Sequence, residues 1–217
     1  MRLGSEPQRP ANTRRFLLTL AAVVAAASFA CQARASGLGG LLETISARAQ
    51  VPKPLVVAAG TNLEVAFSPD GGAESLVLKV IDSAKREIRL QAYSFTSATV
   101  VKSLIQARRR GVDVKVVVDR RNNLDEDRSG RARAALSAIA NAGVGTRTID
   151  AYAIHHDKVI IVDGLHVQTG SFNFSGAAAS RNSENVLVVW NEPRLARAYL
   201  AHWTNRWERG VEYRTRY

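Results

Sequence analysis

Apolar residues recur with two different periods along residues 62–210, and this alternation is the feature that most constrains the fold. Segments with a strand-like pattern alternate with segments whose apolar residues recur every three to four positions, as they do in amphipathic helices. The strand-like segments lie at 62–69, 87–95 and 112–119, and the helix-like segments at 73–86, 97–110 and 131–143. Such alternation is typical of α/β proteins with parallel strands. It predicts a single domain built on a largely parallel β-sheet.

The pattern changes after residue 150, where strand-like segments follow one another directly. Asp163 and Gly164 separate two apolar runs, and an Asp-Gly pair in that position is a strong signal for a β-hairpin. Strands are predicted at 154–162, 165–171 and 184–190, followed by a closing amphipathic helix at 192–210. Because the strands of a hairpin are antiparallel, the predicted α/β sheet is mixed.

The N-terminus has the features of an export signal. Arg14 and Arg15 precede an apolar run at 16–30, and Ala33-Arg34-Ala35 is a suitable cleavage site. The arginine pair favours the twin-arginine route, and the general secretory route stays open because the usual spacer is missing. The domains expected are a cleaved signal peptide at 1–35, a linker or loosely docked arm at 36–60 and a folded domain at 61–217. The mature protein would be periplasmic or secreted.

Two alternatives to cleavage after Ala35 are open. The run at 16–30 could be a membrane anchor, although a span needs about 20 apolar residues and this run is shorter. Cys31, the one cysteine, could carry a lipid, although Ser28 stands where a branched aliphatic residue is expected. Cleavage would leave a domain without cysteine, so we expect neither a disulfide framework nor a thiolate metal site. We also expect no stable membrane insertion after cleavage.

The chain is strongly basic, with a formal net charge of +11. Residues 36–217 carry 25 basic and 18 acidic side chains, so an excess of +7 remains after removal of the predicted signal. A positive excess of this size favours a polyanionic partner, which could be nucleic acid or an anionic membrane surface. A merely basic exported protein is the competing interpretation.

Five polar residues recur at short spacings around the predicted hairpin. Alternation along a strand places His156 and Lys158 on one face, and Ser171 and Asn173 are likewise two apart. Glu184 begins the next predicted strand, where a carboxylate could hold one imidazole nitrogen and select the tautomer. The set combines a nucleophile with a cation and hydrogen-bond donors, although the His-x-Lys spacing alone is common.

The complete set closely resembles the HKD motif of the phospholipase D superfamily. The matching elements are His156-x-Lys158, then Asp163, then Gly170-Ser171-x-Asn173, and finally Glu184. Upstream, the segment FSPDGGAESLVLKVIDSAKREIRLQAYSFTS is similar to the first half of the small bacterial Nuc-type endonucleases of that superfamily. The resemblance covers about residues 60–210 and implies a phospholipase D-like α/β sandwich with helices on both faces of the sheet.

The resemblance also implies a role for each residue of the motif. His156 matches the histidine that attacks phosphorus, and Lys158 and Asn173 match the residues that bind the non-bridging phosphate oxygens. Ser171 matches a hydroxyl that either lies on the phosphate side or supports a residue that does, and Glu184 matches the carboxylate that orients the histidine ring. In the family, the aspartate of the motif is generally a structural ion-pair partner. We therefore do not expect that aspartate to be catalytic.

We expect the chemistry to need neither a metal nor another cofactor. Cationic and hydrogen-bonding groups can offset the charge on a phosphodiester, so that a neutral imidazole can attack in line. The His-Glu-x-x-His spacing of many zinc enzymes is absent from the sequence. We therefore expect the electrophilic groups to be Lys158 and Asn173 instead of a metal ion.

A single copy of the motif predicts a homodimer. The leaving oxygen needs a proton, and the usual donor is a second imidazole. Of His155, His156, His166 and His202, only His156 has a lysine two residues later. A two-fold axis could place two copies of His156 across one phosphate. His155 is predicted to be structural, and His166 to be packed or solvated.

Three functions compete on this basis. The first is a metal-independent endonuclease that cuts DNA, and RNA as a second substrate, with little sequence preference. The second is a phospholipase D-type hydrolase that acts on phospholipid head groups, although the mature chain shows no amphipathic membrane-docking segment. The third is a non-catalytic nucleic-acid-binding relative, which the intact motif disfavours. The first agrees best with the basic charge, the size and the single motif.

Overall fold

The computed structural model describes residues 62–215, together with the backbone of a short strand at Leu55–Val56. The predicted signal peptide and most of the predicted arm lie outside these residues. The strands are β1 (Leu55–Val56), β2 (Leu63–Ser68), β3 (Glu87–Ala92), β4 (Asp113–Asp119), β5 (Gly145–Ile149), β6 (Lys158–Val162), β7 (His166–Gly170), β8 (Glu184–Val189) and β9 (Val211–Glu212). The α-helices are α1 (Ala73–Ser83), α2 (Ala98–Arg109), α3 (Arg131–Asn141), α4 (Gly176–Ser180) and α5 (Pro193–Arg209).

The nine strands form one mixed sheet in the order β1-β2-β8-β7-β6-β3-β4-β5-β9. The mixed α/β sheet flanked by helices confirms the predicted fold class. Parallel pairing is confined to β3, β4 and β5, which is less than the largely parallel sheet that the sequence predicted. The physical reason is that the hairpin β6–β7 and the returning β8 insert between β2 and β3, and each of these strands pairs antiparallel with its neighbours.

Helices cover both faces of the sheet because the strands are apolar on both sides. The larger core lies under α1, α2 and α3 and contains the apolar stripes predicted for these helices, such as Val80 and Leu104. The smaller core lies under α5, where Trp203 packs on Val159 and Ile161. The indole nitrogen of Trp203 donates to the carbonyl oxygen of Leu90 at 3.1 Å, so this tryptophan is a core residue.

Five short elements escaped the sequence patterns, and two of them are β1 and α4. β5 contains few apolar residues, and β9 is only two residues long. The predicted loop after β4 contains a π-helical turn at Arg121–Glu126. The π-helix is rare in proteins and is often found at functional sites.

Within the described region, no helix has both the length and the apolar character that a membrane span requires.

Candidate active site

The predicted site residues meet at one edge of the sheet. β7 runs antiparallel to β6 and β8, so its end lies beside the beginnings of these two strands. Lys158 is the first residue of β6 and Glu184 the first residue of β8, while Ser171 and Asn173 follow β7. His156 precedes β6 by two residues. The fold therefore brings together the five side chains that the sequence analysis singled out.

The segment that carries His156 is held by a buried carboxylate. The sequence predicted that this strand would begin at residue 154, but β6 begins at Lys158. The backbone N–H of His155 donates to Oδ2 of Asp119 at 2.8 Å, so a side chain replaces strand pairing at this point. Asp119 itself is 3% exposed at the end of β4. The neighbouring His156 is exposed, so its ring is accessible from solvent.

Lys158 is a buried cation that points back toward His156. Its side chain is 5% exposed, and its Nζ donates to the carbonyl oxygen of His156 at 2.8 Å. The same Nζ lies 5.1 Å from the ring centroid of Tyr93, and the rings of Tyr93 and His156 are 4.7 Å apart. Burial lowers the pKa of Lys158, while the carboxylates of Glu184 and Asp157 oppose this shift. The site thus holds a desolvated ammonium group beside an exposed imidazole.

Ser171 and Glu184 form a hydrogen-bonded pair across β7 and β8. Oγ of Ser171 donates to Oε2 of Glu184 at 2.6 Å, and Nδ2 of Asn182 donates to Oε1 at 3.0 Å. The backbone N–H of Asn185 donates to Oγ of Ser171 at 3.1 Å. A side chain on Gly170 would collide with the carbonyl oxygen of Asn185, so only glycine allows this approach. Glu184 thus accepts hydrogen bonds from Ser171 and Asn182 and not from the ring of His156. That Glu184 orients this ring stays a prediction.

Packing positions Asn173. It lies between Phe172 and Phe174, both of which are fully buried. The backbone N–H groups of Thr96 and Ser97 donate to the carbonyl oxygen of Phe174 at 2.8 Å each, which ties this segment to the chain after β3. The buried Oδ1 of Asn173 has no hydrogen-bond partner among the described residues. A bound oxyanion would accept from the Nδ2 group of this amide, because Oδ1 can only accept.

Comparison with known proteins agrees with this geometry. Residues 77–207 match the family described as Cardiolipin synthase, PLD-like domain. A phospholipase D of Rickettsia conorii is 36% identical over 146 residues, which cover 67% of this chain and 70% of that protein. The solved structure of Nuc, a phospholipase D family member from Salmonella typhimurium, matches with a TM-score of 0.67 and 50% identity, covering 70% of this chain and 98% of Nuc.

This chain belongs to the phospholipase D superfamily. The family assignment made from the HKD motif is therefore confirmed. A mitochondrial cardiolipin hydrolase of Danio rerio is 30% identical over 135 residues, covering 62% of this chain and 56% of that protein. The fold is also shared with NucT from Helicobacter pylori, at 20% identity and a TM-score of 0.59. The chain is a hydrolase of this superfamily.

The aspartate of the motif lies away from the other motif residues. Asp163 follows the last residue of β6, whereas Lys158 is the first, a separation of roughly 17 Å along a strand. Its carboxylate accepts hydrogen bonds from the backbone N–H groups of Lys85, Arg86 and Glu87 at 2.7 to 2.9 Å. Although burial opposes the shift, these bonds lower the pKa of Asp163. Asp163 thus joins the hairpin to the start of β3, as expected for a structural residue.

Asn123 connects the walls of the site, and the sequence analysis missed it. Its Oδ1 accepts from the N–H of Phe95 at 2.9 Å, and its Nδ2 donates to the carbonyl oxygens of Tyr93 at 2.6 Å and Asp119 at 2.7 Å. Asn123 is 1% exposed and lies in the π-helical turn. It therefore joins the segment of Tyr93, which packs on His156, to the backbone of Asp119, the residue whose carboxylate accepts from the N–H of His155. The sequence analysis also did not single out Tyr93. Tyr93 falls within the segment similar to Nuc-type endonucleases, and that similarity could have identified Tyr93 as a site residue.

The remaining histidines have structural partners. Nδ1 of His155 lies 3.3 Å from Oδ2 of Asp157, and Nε2 of His202 lies 3.1 Å from the same oxygen. Burial lowers the pKa of His155, and the attraction of Asp157 opposes this shift. The ring of His166 accepts at Nδ1 from the N–H of Asn191 at 3.0 Å. The buried position of His155 and the packed position of His166 agree with their predicted roles.

Across residues 62–215, no three histidine, cysteine, aspartate or glutamate side chains are arranged as a metal site. That the reaction needs no metal stays a prediction, and an assay with a chelator tests it.

Proposed function

We propose that the chain is a metal-independent endonuclease that cleaves DNA, with RNA as a second substrate, at a site shared by two copies of the chain. The observation that carries the proposal is the exposed imidazole of His156 beside the buried ammonium of Lys158. The amide of Asn173 lies at the same sheet edge and can donate to a phosphate oxygen, whereas the hydroxyl proton of Ser171 is donated to Glu184. The 50% identity to Nuc and the basic charge of the domain favour nucleic acid as the substrate.

The proposed reaction has two displacement steps. A ring nitrogen of His156 bonds to phosphorus while the bond from phosphorus to one sugar oxygen breaks. A second, protonated imidazole gives its proton to that sugar oxygen. The same second imidazole then removes a proton from water, which attacks the phosphohistidine and releases a phosphomonoester. Lys158 and Asn173 stabilise the charge on the non-bridging oxygens in both steps.

The second imidazole is proposed to be His156 of a second copy of the chain. Among the described histidines, His155 is buried, and His166 and His202 bind neighbouring groups, so none of them is a suitable donor. His156 lies exposed at an edge of the sheet, where a two-fold axis can bring two copies together. The phosphate would then lie between the two rings.

A phospholipid is the second candidate substrate. The names of the relatives from Rickettsia conorii and Danio rerio, a phospholipase D and a cardiolipin hydrolase, favour it. Both substrates present a phosphodiester to the same chemical groups. The distinction therefore depends on surfaces outside the reaction centre.

The proposed location is the periplasm or the exterior of the cell. It rests on the basic pair Arg14 and Arg15, the apolar run at 16–30 and the small residues around Ala35. Sequencing the N-terminus of the protein recovered from the periplasm of an expressing bacterium tests it. A chain that begins near Ser36 supports the proposal, and an intact N-terminus contradicts it.

The substrate is tested on the purified protein with excess EDTA, using plasmid DNA in one arm and phosphatidylglycerol vesicles in the other. We expect DNA cleavage in the presence of chelator and no release of phospholipid head groups. His156→Ala should abolish cleavage, since acid–base assistance alone is worth about 10²- to 10⁴-fold and loss of the nucleophile adds to this. His166→Ala, near the opposite end of the β7 strand, is the matched control. Cleavage that requires added zinc or magnesium would refute the metal-independent reaction.

The shared site is tested by mixing wild-type chains with His156→Ala chains. Unfolding and reassembling equal amounts should leave about a quarter of the dimers active by random pairing, so activity follows the square of the wild-type fraction. Independent sites would give half of the activity and a straight line. Differently tagged chains verify that subunits have exchanged.

A further inference from the structure

A groove of about 1120 Å³ lies on the helical face that covers the larger core. One wall is α2, the second is α3 from Arg131 to Ala138, and the third is α4 with the residues next to it. The floor consists largely of small side chains, among them Ala134, Ala138, Gly176 and Ala177. We call this feature the α2–α3 groove. No aromatic residue contributes to its lining in the described part of the chain.

The α2–α3 groove has a basic rim. Four of its lining residues are cations, Lys102, Arg109, Arg131 and Arg181, and all four are exposed. Its one acidic lining residue, Glu74, accepts a hydrogen bond from Oγ of Ser97 at 3.1 Å. No ion pair joins any of the four cations to a carboxylate in residues 62–215. Arg131 interacts electrostatically with the carboxylate of Asp127 without forming an ion pair, so the rim keeps an excess of positive charge.

One end of the α2–α3 groove adjoins the active site. Ser175 and Gly176 line the groove and follow Asn173 by two and three residues. The N–H of Ser175 donates to the carbonyl oxygen of Asn173 at 2.7 Å. Ser97, on the opposite wall, is joined through its N–H to Phe174. The groove therefore begins at residues that follow Asn173 directly in the chain, so a polymer bound at Asn173 has the groove beside it.

We propose that the α2–α3 groove binds a single strand of nucleic acid that extends from the phosphate in the active site. The proposal rests on the proposed endonuclease function and deepens it. α2 has 12 residues and is about 18 Å long, enough for several nucleotides. Four cations on the rim match phosphates that recur along a strand, whereas an acyl chain would gain nothing from them. The lining has no aromatic ring on which bases could stack, so binding would depend on contacts with phosphates, and these carry no sequence information.

The test measures binding of single-stranded oligonucleotide as a function of salt, in the inactive His156→Ala background. The groove variant carries Arg131→Gln and Arg181→Gln. The matched control carries Arg194→Gln and Arg197→Gln, two exposed residues of α5 on the other face of the sheet. Both double variants lose two positive charges, so they differ only in where the charges were. A general effect of net charge would change the salt dependence of binding equally in the groove variant and in the control.

We expect the groove variant to have a salt dependence shallower by about 1.4 in log Kd against log salt, since each lost phosphate contact removes about 0.7 on a single strand. If the curves meet at 1 M salt, this slope corresponds to about 25-fold weaker binding at 0.1 M. The control should match the parent protein. Equal slopes in the groove variant and the control would overturn the proposal.

Two further arms separate the possible failures. Lys102→Gln with Arg109→Gln, on α2, is an independent groove pair that should give the same loss of slope, and it replaces the first pair if that pair fails to fold. Active protein carrying each pair is also assayed on phosphatidylglycerol vesicles. Loss of phospholipid turnover with an unchanged DNA slope would assign the groove to lipid and refute our assignment. Wild-type protein that does not cleave DNA would refute the proposed function itself, whereas DNA cleavage with equal slopes would refute only the groove.

Discussion

Asp163→Asn is expected to destabilise the protein without affecting catalysis. Oδ1 of Asp163 accepts two backbone N–H groups and Oδ2 accepts a third. Asparagine tolerates the left-handed backbone at this position, where φ is 56°. It keeps one acceptor oxygen but turns two charge-assisted bonds into neutral ones, at about 1 kcal/mol each. It also places an amide donor against the N–H of Lys85, which leaves that group unsatisfied at about 1 kcal/mol or more.

The sum is about 3 kcal/mol, or a decrease of about 6 to 12 °C in Tm for a domain of this size. Thermal unfolding followed by circular dichroism measures the shift, and kcat on DNA should stay within about twofold because the site lies about 17 Å away. Asp125→Asn is the control, since this exposed carboxylate makes one ion pair, at 3.8 Å from Arg120, worth under about 1 kcal/mol. A tenfold loss of kcat with an unchanged Tm would show that the aspartate is catalytic and refute the reasoning.

The stabilisation by Asp163 should depend on pH. The folded state lowers the pKa of this carboxyl group, so its contribution is complete above the pKa of the unfolded chain and disappears as pH falls through the lower folded value. The difference in Tm between wild type and Asp163→Asn should therefore persist from pH 7 to pH 5 and decrease as the carboxyl group is protonated in more acidic solution. A difference that grows on acidification would contradict this sign.

Four further predictions concern the site. Because burial lowers the pKa of Lys158, wild-type kcat should decline at a pH below that at which an exposed lysine deprotonates, and Lys158→Arg should lack this decline if it remains active. Lys158→Gln should reduce kcat by about 10²- to 10³-fold with a smaller change in KM, as steady-state kinetics would show. Asn123→Leu leaves three backbone groups without a side-chain partner, and it should lower both Tm and kcat. When it is combined with His156→Ala, the binding of oligonucleotide should be only slightly weaker than in His156→Ala alone. Gly170→Ala should lower kcat by displacing the Ser171–Glu184 pair, whereas Gly164→Ala, at an open turn, should affect mainly stability.

The sequence by itself determined most of the secondary structure and the chemistry of the motif. The helical stripes of α1, α2 and α3 and the Asp163-Gly164 hairpin are local patterns, and they depend on interactions between residues close together in the chain. The spacing of His156, Lys158, Ser171 and Asn173 is local in the same sense. A single residue separates the members of each pair, so the motif is recognisable from the order of the amino acids alone.

Only the tertiary structure decided which strands are neighbours and what surrounds the motif. The strand order depends on competition between pairings of distant segments, which a periodic pattern does not encode, so the position of β8 between β2 and β7 was not predictable. Asn123 appears in the sequence as one polar residue of a charged loop. Its importance arises because burial leaves the carbonyl oxygens of Tyr93 and Asp119 and the N–H of Phe95 without water, and one amide satisfies all three. The π-helical turn and the edge of the sheet, far apart in the chain, meet only when the sheet has formed.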